Sequence, residues 1–398
     1  MKLPKVSDLD PEQLRVFAAP MTGSSLIVGP PGSGKTVLAF FRAAALQKAR
    51  KRFSIVMFNN VLSEFARNSE LPGIEGTLST LTMNAWIRAW WESATSRRIP
   101  MIEAAGGRFR PPDLGAMTNI VAGLDGDRTR LDWGHLIIDE GQDFCRDLYT
   151  LLNFCRCCCF AGRPAEDRPA LTVLADENQR ITDTNSTLAD IRQFAMIDRE
   201  YALRKNYRNT RQIAAFAGFF SVGLESGTTE PPDREGELPA VTGMSDLDGS
   251  VDAVVRYATR QDSEEIGVLL PHQAECKRYY NKLKYRLRGN NRIRLQAYVS
   301  GHEEHTADKL VFDKPGTITV LCHASGKGLE FDTVFLPELQ SISRQAGNED
   351  VTKMTLYVMC TRARKNLRLM YVGSPREFRA VGVGRWFPGA ETGLAVWT

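Results

Sequence analysis

The chain has 398 residues, 43% of them hydrophobic, and a formal net charge of +4. This length leaves room for two or three domains with substantial cores. No run of about 18 apolar residues occurs and the N-terminus lacks an apolar signal segment, so we expect neither membrane spanning nor secretion and predict a cytoplasmic protein. Because the net charge is small, any nucleic-acid surface must be local.

A glycine-rich segment matches the phosphate-binding loop at every fixed position. Gly29-Pro30-Pro31-Gly32-Ser33-Gly34-Lys35-Thr36 follows an apolar strand at 25–28 and precedes helix-forming residues 37–41. Glycines at the first, fourth and sixth positions let backbone N–H groups face phosphates, the lysine supplies a positive charge, and the threonine hydroxyl can ligate Mg²⁺. An ordinary glycine-rich turn rarely combines these residues. The segment therefore predicts a nucleotide site.

A second segment places two acids at the end of an apolar strand. Leu136-Ile137-Ile138 leads directly into Asp139 and Glu140. In phosphate-loop ATPases, a strand beside the loop delivers an aspartate to the Mg²⁺ shell, and a second acid activates water. Asp139 and Glu140 fit these two roles. The alternative is that the pair only caps a strand and opens a helix.

Four clustered cysteines allow a simpler interpretation than a metal site. Cys155, Cys157, Cys158 and Cys159 are spaced too tightly for paired zinc-ligand elements. We predict small buried apolar side chains on a helix, with a redox or metal role as the alternative.

The segment 139–143, Asp-Glu-Gly-Gln-Asp, resembles motif II of superfamily 1 helicases of the UvrD/Rep type, and other segments resemble further motifs in the family's order. Residues 9–13 resemble the Q motif, in which Gln13 reads the adenine edge. Residues 175–180 resemble motif III, with Gln179 as the γ-phosphate sensor. Residues 56–60 and 82–86 resemble strand-end motifs that face single-stranded nucleic acid; the residues implied there are Phe58, Asn60, Thr82, Asn84 and Trp86.

The second half of the chain continues the resemblance. Residues 206–208 resemble motif IV, which implies Tyr207 stacked on adenine and Arg208 at the γ-phosphate. Residues 327–332 resemble motif V, where the family uses the position of Glu330 to hold the ribose. Residues 357–363 resemble motif VI, with Arg362 as a second arginine finger. The alternative for both arginines is a structural ion pair. The resemblance implies ATP and Mg²⁺ as ligands.

The motif order predicts two α/β lobes. Strands near 25–28, 54–58, 135–138 and 171–175 alternate with helices in residues 1–200, and strands near 265–270, 317–321, 333–336 and 367–372 follow in residues 201–398. The resemblance implies two RecA-like parallel-sheet lobes with ATP in the cleft between them. Arginines far downstream of the loop can reach the γ-phosphate only if the second lobe packs on the first. The acidic stretch 225–249 is predicted to be a loop or linker.

Several departures separate the chain from well-studied relatives. Only a small insertion, near 86–132, lies before the Asp139 strand, so the accessory subdomains are predicted to be vestigial or absent. The aromatic expected after motif III is missing from 181–185, which removes a stacking platform worth about 1–3 kcal/mol per base. In motif V, Cys322 and Ala324 occupy the family's Thr and His positions.

Two groups of side chains have both binding and packing interpretations. The segment 276–288 predicts an amphipathic helix that interleaves aromatics with positive charges, which suits a phosphate backbone. Its alternative has Tyr280, Leu283 and Leu287 in the core and the charges in solvent. For Trp86, Trp90 and Trp91, packing is favoured over base stacking.

Three functions remain open. The first is an ATP-dependent translocase or helicase on single-stranded DNA, with 3′-to-5′ polarity implied only by the resemblance. The second is an ATPase switch that depends on a protein partner, such as a nuclease or another subunit of a repair or antiphage defence complex. The third is the same motor on RNA, because nothing in these motifs reads the 2′-hydroxyl.

Overall fold

The computed structural model describes residues 4–58, 61, 80–102, 110–124, 128–179, 185–223, 230–342, 349–380 and 382–398. Among these residues, no helix has the length and apolar character needed to cross a membrane.

A parallel sheet organises the first half of the chain. The described residues supply six strands in the order β3-β2-β4-β5-β1-β6. Central strands read as continuous apolar runs because helices cover both faces of a parallel sheet. The strands are β1 (Ser24–Val28), β2 (Phe53–Met57), β3 (Thr80–Thr82), β4 (His135–Ile138), β5 (Ala170–Ala175) and β6 (Arg199–Ala202).

Six described helices accompany this sheet, and four of them begin with a side-chain cap. In the first, Asp10 accepts hydrogen bonds from the backbone N–H groups of Glu12 and Gln13, while the Gln13 side chain returns to Asp10 N–H. The helices are α1 (Pro11–Phe17), α2 (Lys35–Lys48), α3 (Met83–Thr95), α4 (Leu114–Ala122), α5 (Arg146–Phe154) and α6 (Leu188–Phe194).

A second parallel sheet organises the rest of the chain. Its seven strands in the described residues have the order β13-β7-β12-β11-β8-β10-β9. These strands are β7 (Ala240–Met244), β8 (Glu265–Leu270), β9 (Arg294–Ala297), β10 (Thr317–Cys322), β11 (Phe331–Leu336), β12 (Ala363–Val372) and β13 (Val396–Trp397). The accompanying helices are α7 (Arg211–Gly218), α8 (Leu247–Arg260), α9 (Gln273–Arg286), α10 (His323–Gly326), α11 (Glu349–Cys360) and α12 (Pro375–Ala380).

The predicted fold class, two lobes that each hold a parallel α/β sheet, is confirmed. Every strand predicted from an apolar run is present, with small shifts at the ends. The prediction that residues 225–249 form a loop or linker is wrong for its second part, because β7 occupies 240–244 and α8 begins at Leu247. Its strand pairs with β12, so tertiary pairing overrides the local composition. The division after residue 200 stays a prediction; it falls inside β6 of the first sheet.

The cysteine cluster differs from the prediction. Residues Cys155–Cys159 form a π-helical turn after α5. Only Cys155 of the four is buried; Cys158 is exposed, and Cys157 and Cys159 are half-buried. The wider turn points successive side chains away from the core face that α5 presents.

The basic segment forms helix α9, and its side chains match the packing interpretation. Cys276, Tyr279 and Leu283 are buried, whereas the predicted core residue Tyr280 is only half-buried. On the outer side, Lys282 Nζ lies 2.8 Å from Asp248 Oδ1, and Arg286 Nε lies 2.7 Å from Asp252 Oδ1 on α8. Two of the positive charges are therefore already paired with acids.

Candidate active site

The phosphate-loop segment joins β1 to α2 in a conformation that requires glycine. Gly32 and Gly34 have φ angles of +78° and +88°. A Cβ atom on Gly32 would lie 2.5 Å from Asn206 Oδ1, and one on Gly34 would lie 2.6 Å from Gln13 Nε2. The loop backbone is therefore pressed against the side chains that face it.

Lys35 lies at the centre of the loop. Its Nζ donates hydrogen bonds to the carbonyl oxygens of Gly29, at 2.6 Å, and Pro30, at 3.0 Å. Burial lowers the pKa of Lys35, and the carboxylates of Asp176, Glu140 and Asp139 oppose that shift. The ammonium is thus held among three acids at the point where the motif places nucleotide phosphates.

Thr36 and Asp139 form a pair of oxygen ligands beside the loop. The Thr36 hydroxyl donates to Asp139 Oδ2 at 2.7 Å, and Asp139 is fully buried at the end of β4. Burial and the neighbouring Glu140 raise the pKa of Asp139. A hydroxyl and a carboxylate are hard oxygen donors of the kind Mg²⁺ prefers. The donor set fits the predicted metal.

Glu140 is held in an unusual backbone conformation. Its φ is +57°, a backbone conformation that residues other than glycine rarely adopt. Its carboxylate accepts a 2.6 Å hydrogen bond from Gln142 Nε2. Burial alone would raise the pKa of Glu140, but Lys327 and Lys35 bring it below its usual value. The carboxylate is therefore charged and aimed by its surroundings, as a general base must be.

Gln179 links the two lobes. Its Nε2 donates to Asp176 Oδ2 at 2.8 Å in the first lobe, and its Oε1 accepts from Arg362 Nη2 at 3.1 Å in the second. Arg362 is almost completely buried, and this burial, with Arg208 nearby, lowers its pKa to about 9. The Gln179 amide thus makes one hydrogen bond in each lobe, so a movement of the lobes relative to each other would break at least one of the two.

Lys327 adds a second connection between the lobes. Its Nζ lies 2.6 Å from both Asp143 Oδ2 and the Gln179 carbonyl oxygen, and 4.0 Å from Glu140 Oε2. The Lys327 side chain is 1% exposed and that of Asp143 is fully buried. A buried ion pair of this kind is costly to break, because each charge would lose its partner away from water.

Arg208 presents an unsatisfied guanidinium nitrogen. Its Nε donates to Glu330 Oε2 at 2.7 Å, and Arg364 lies 3.6 Å from the other oxygen of the same carboxylate. Nη1 of Arg208 is buried and has no hydrogen-bond partner among the described residues. Buried donors usually have acceptors, so this nitrogen indicates a place for an anionic oxygen. Glu330, expected to hold the ribose, here positions Arg208.

Gln13 and Tyr207 lie at the outer end of the site. Gln13 Nε2 donates to the Ser33 carbonyl oxygen at 3.1 Å, which ties α1 to the loop. The Tyr207 hydroxyl donates to Asp10, and the tyrosine is 45% exposed. Its ring is accessible for stacking, and its orientation is fixed by the same aspartate that caps α1.

These side chains surround a single cavity of about 290 Å³. All predicted ATP-site residues line it except Gly29, which holds Lys35, and Asp139, which is reached through Thr36. Lining residues from the first lobe and its connection include Gln13, Gly32, Gly34, Lys35, Thr36, Glu140, Gln179, Tyr207 and Arg208; those from the second include Arg234, Glu330, Arg362 and Arg364.

The residues predicted to face nucleic acid that the structure describes lie outside the lining of this cavity. Phe58 lies with its ring centroid 5.3 Å from Lys327 Nζ, and Asn60 lies outside the described residues. Thr82 caps α3, its Oγ1 accepting from Ala85 N–H at 3.4 Å, and Asn84 is exposed in the first turn.

Trp86 requires a correction. It is only 3% exposed and stacks on Trp90, with ring centroids 5.5 Å apart and nearly parallel. Trp91 is also buried, and Trp133 contacts Trp90 edge-on. The packing interpretation fits all three tryptophans of α3, because their spacing places the indoles on its core face. Trp86 is therefore a core residue in this conformation rather than a platform for bases.

Sequence reasoning missed the residues that hold the site together. Lys327 and Asp143 both lie in segments that carried the resemblance, yet no role was predicted for either. Their opposite charges, in motifs from opposite lobes, could have indicated an ion pair between the lobes. Arg234, within the stretch predicted to be a loop, donates to the carbonyl oxygens of Arg208 and Arg364. No local pattern marks Arg234, because its partners are backbone atoms distant in sequence.

Comparisons with known proteins add little. No family model matches the chain, and no curated protein matches it. Among solved structures, the chain is similar to one described as the C-terminal domain of a possible DNA helicase from Lactobacillus plantarum WCFS1. That similarity has 24% identity and a TM-score of 0.34, over 48% of this chain and 98% of the other. An identity and a TM-score this low do not indicate a shared function.

Proposed function

We propose that the chain is an ATPase that binds ATP in the cleft between its lobes and uses cleft closure to move along single-stranded DNA. The observation that carries the ATPase proposal is the cavity itself. A glycine loop with a buried lysine, a buried acid pair, an unsatisfied arginine nitrogen and a second buried arginine converge there from both lobes.

Each side chain has a role that its contacts support. Lys35 would exchange the carbonyl oxygens of its own loop for phosphate oxygens. Thr36 and Asp139 would hold Mg²⁺, which when bound neutralises charge on the phosphates. Glu140 would take the proton from the attacking water, because it is kept charged and oriented.

Two arginines would make hydrolysis depend on closure. Arg208 lines the cavity and has a buried guanidinium nitrogen without a hydrogen-bond partner among the described residues. Arg362 also lines the cavity, where it donates a hydrogen bond to Gln179. Planar guanidinium groups stabilise charge on the departing phosphoryl group by about 10³–10⁵-fold in rate. Because Arg362 belongs to the second lobe, opening the cleft would remove it from the reaction, and the cycle would move one lobe against the other.

The experiment is steady-state ATP hydrolysis by the full chain, with and without single-stranded DNA or RNA, at one stated salt concentration. We expect Lys35→Ala and Glu140→Gln each to abolish turnover. The matched controls are Lys48→Ala, an exposed lysine on the same helix, and Glu166→Gln, an exposed acid; both should retain it. Full turnover in the Lys35 and Glu140 variants would refute the site assignment.

A partner-dependent ATPase switch is the second candidate, and two observations favour it. Trp86 is buried rather than available to bases, and Lys282 and Arg286 on α9 are paired with acids of α8. These contacts reduce the surface on which a strand could be held. Strong stimulation by DNA or RNA would support the motor and identify the polymer, whereas equal turnover with either and with neither would support the switch.

A further inference from the structure

A group of metal-ligating side chains lies away from the ATP cavity, on the loop that follows β9. His302, Glu304 and His305 each offer a ligand atom, and these atoms all lie within 4.8 Å of one another. The loop residues 301–305 form one wall of a cavity of about 580 Å³, and the other wall comes from α9, with Lys277, Tyr280, Asn281 and Lys284.

The two imidazoles are packed before any ligand arrives. Their ring centroids lie 4.8 Å apart at an interplanar angle of 30°, and Tyr280 contacts His305 edge-on at 4.5 Å. Tetrahedral bonds of about 2.0–2.2 Å place ligand atoms about 3.4 Å apart. Closing from the observed separation therefore needs movements of about 1 Å, which rotation of partly exposed side chains can supply.

The donor types select a class of metal. Two imidazole nitrogens and one carboxylate oxygen suit zinc and neighbouring transition ions, whereas Mg²⁺ and Ca²⁺ favour all-oxygen sites. His302 Nδ1 accepts a 3.2 Å hydrogen bond from Glu304 N–H. Metal binding removes this hydrogen bond, because the metal takes either the Nδ1 lone pair or that of Nε2, whose proton then moves to Nδ1.

Two lysines, Lys277 and Lys284, line the cavity opposite the three proposed ligands. Lys277 and Lys284 are exposed, so their repulsion of a cation is screened by water and salt. Three protein ligands leave one position of a tetrahedral ion open. We propose that His302, Glu304 and His305 bind one divalent transition-metal ion of the zinc class, with its open position facing these lysines.

The test uses Co²⁺ as the probe, because its visible absorption reports ligation by nitrogen in the intact chain. Titration with excess Mg²⁺ present keeps the oxygen site at Asp139 from contributing. We expect one Co²⁺ per chain, and His302→Ala, His305→Ala and Glu304→Gln each to weaken binding by at least about tenfold. These side chains are half-buried or exposed, so folding is not at stake.

Two control variants separate this site from general surface binding. Glu303→Gln removes the adjacent exposed carboxylate, and His272→Asn removes another exposed imidazole while keeping a good helix-capping residue. Both should bind Co²⁺ as the unaltered chain does. No Co²⁺ binding, or equal affinity in all five variants, would overturn the proposal. Neither result depends on ATP hydrolysis.

Discussion

The buried pair of Lys327 and Asp143 gives a prediction about how the lobes are held together. Replacing Lys327 with methionine keeps the length of the side chain but removes its charge. The Asp143 carboxylate would then be left fully buried with a 3.2 Å contact from Asn185 Nδ2 as its remaining described hydrogen bond, and the Gln179 carbonyl oxygen would lose its 2.6 Å donor.

Breaking a buried pair from one side costs about 3–5 kcal/mol. Here the loss has an upper limit, because burial already raises the pKa of Asp143 to about 7 and the carboxyl can take up a proton once Lys327 is gone, and because opening the cleft would hydrate Asp143. We therefore expect Lys327→Met to lower the free energy of local opening by about 3 kcal/mol, or by the whole free energy of closure if that is smaller. Asp143→Asn, which removes the carboxylate 2.6 Å from Lys327 Nζ, should cost a similar amount.

Hydrogen exchange at backbone amides beside the pair measures this opening. Suitable amides are Asp143 N–H, bonded to Glu140 O at 2.9 Å, and Gln179 N–H, bonded to Asp176 O at 3.0 Å. In each single variant, protection should fall by about two orders of magnitude, since 1.4 kcal/mol is about a factor of ten. The double variant should lose much less than the sum. Additive losses would show that the two side chains do not stabilise each other, and would refute the reasoning.

Two further predictions concern the first lobe. His135 is buried, and burial together with Arg42 lowers its pKa to about 3. Because an unfolded histidine takes up its proton near pH 6.5, stability should fall by about 1.4 kcal/mol per pH unit as pH drops from about 6.5 towards 3, and His135→Asn should remove this part of the slope in denaturant titrations. Trp86→Ala should cost about 3–5 kcal/mol of stability by opening a cavity, whereas Asn84→Ala on the same helix should change it by less than about 0.5 kcal/mol. If His135→Asn left the dependence of stability on pH unchanged, the assignment of His135 would be contradicted. If Trp86→Ala kept full stability and weakened DNA binding, the assignment of Trp86 to the core would be contradicted.

The sequence predicted the sheets well where the strands are buried on both faces. Residues 265–270 and 317–321 are rich in apolar and β-branched side chains, and both are strands within one residue of the expected ends. Strand β6 escaped prediction because its residues 199–202 are mostly exposed and carry charges at the sheet edge. The strand at 240–244 was hidden by the proline, glycine and acidic residues before it.

The candidate site was predictable to a similar degree. Residues whose chemistry requires one residue type, such as Lys35 and Asp139, were predicted from the motifs, and the structure places both beside the glycine loop. Roles that depend on three-dimensional neighbours were not predicted. The ribose role of Glu330 stays a prediction from the resemblance. The fold also brings Arg208 to Glu330 at 2.7 Å, a pairing across more than a hundred positions that no local pattern encodes. Trp86 is a second example, because helical spacing alone does not decide whether its indole is buried in the core or exposed to bind bases.

The position of β1 in its sheet constrains the order in which the protein can assemble. This strand carries the glycine loop at its end, and it lies between β5 and β6 rather than beside its neighbour in sequence. Ser25 pairs with Thr172 on one side and Arg199 on the other. Contacts about 150 residues apart close slowly. A fragment that stops before β5 leaves the loop strand without either neighbour, so we expect the glycine loop to take its final form only after residues 170–202 have joined the sheet.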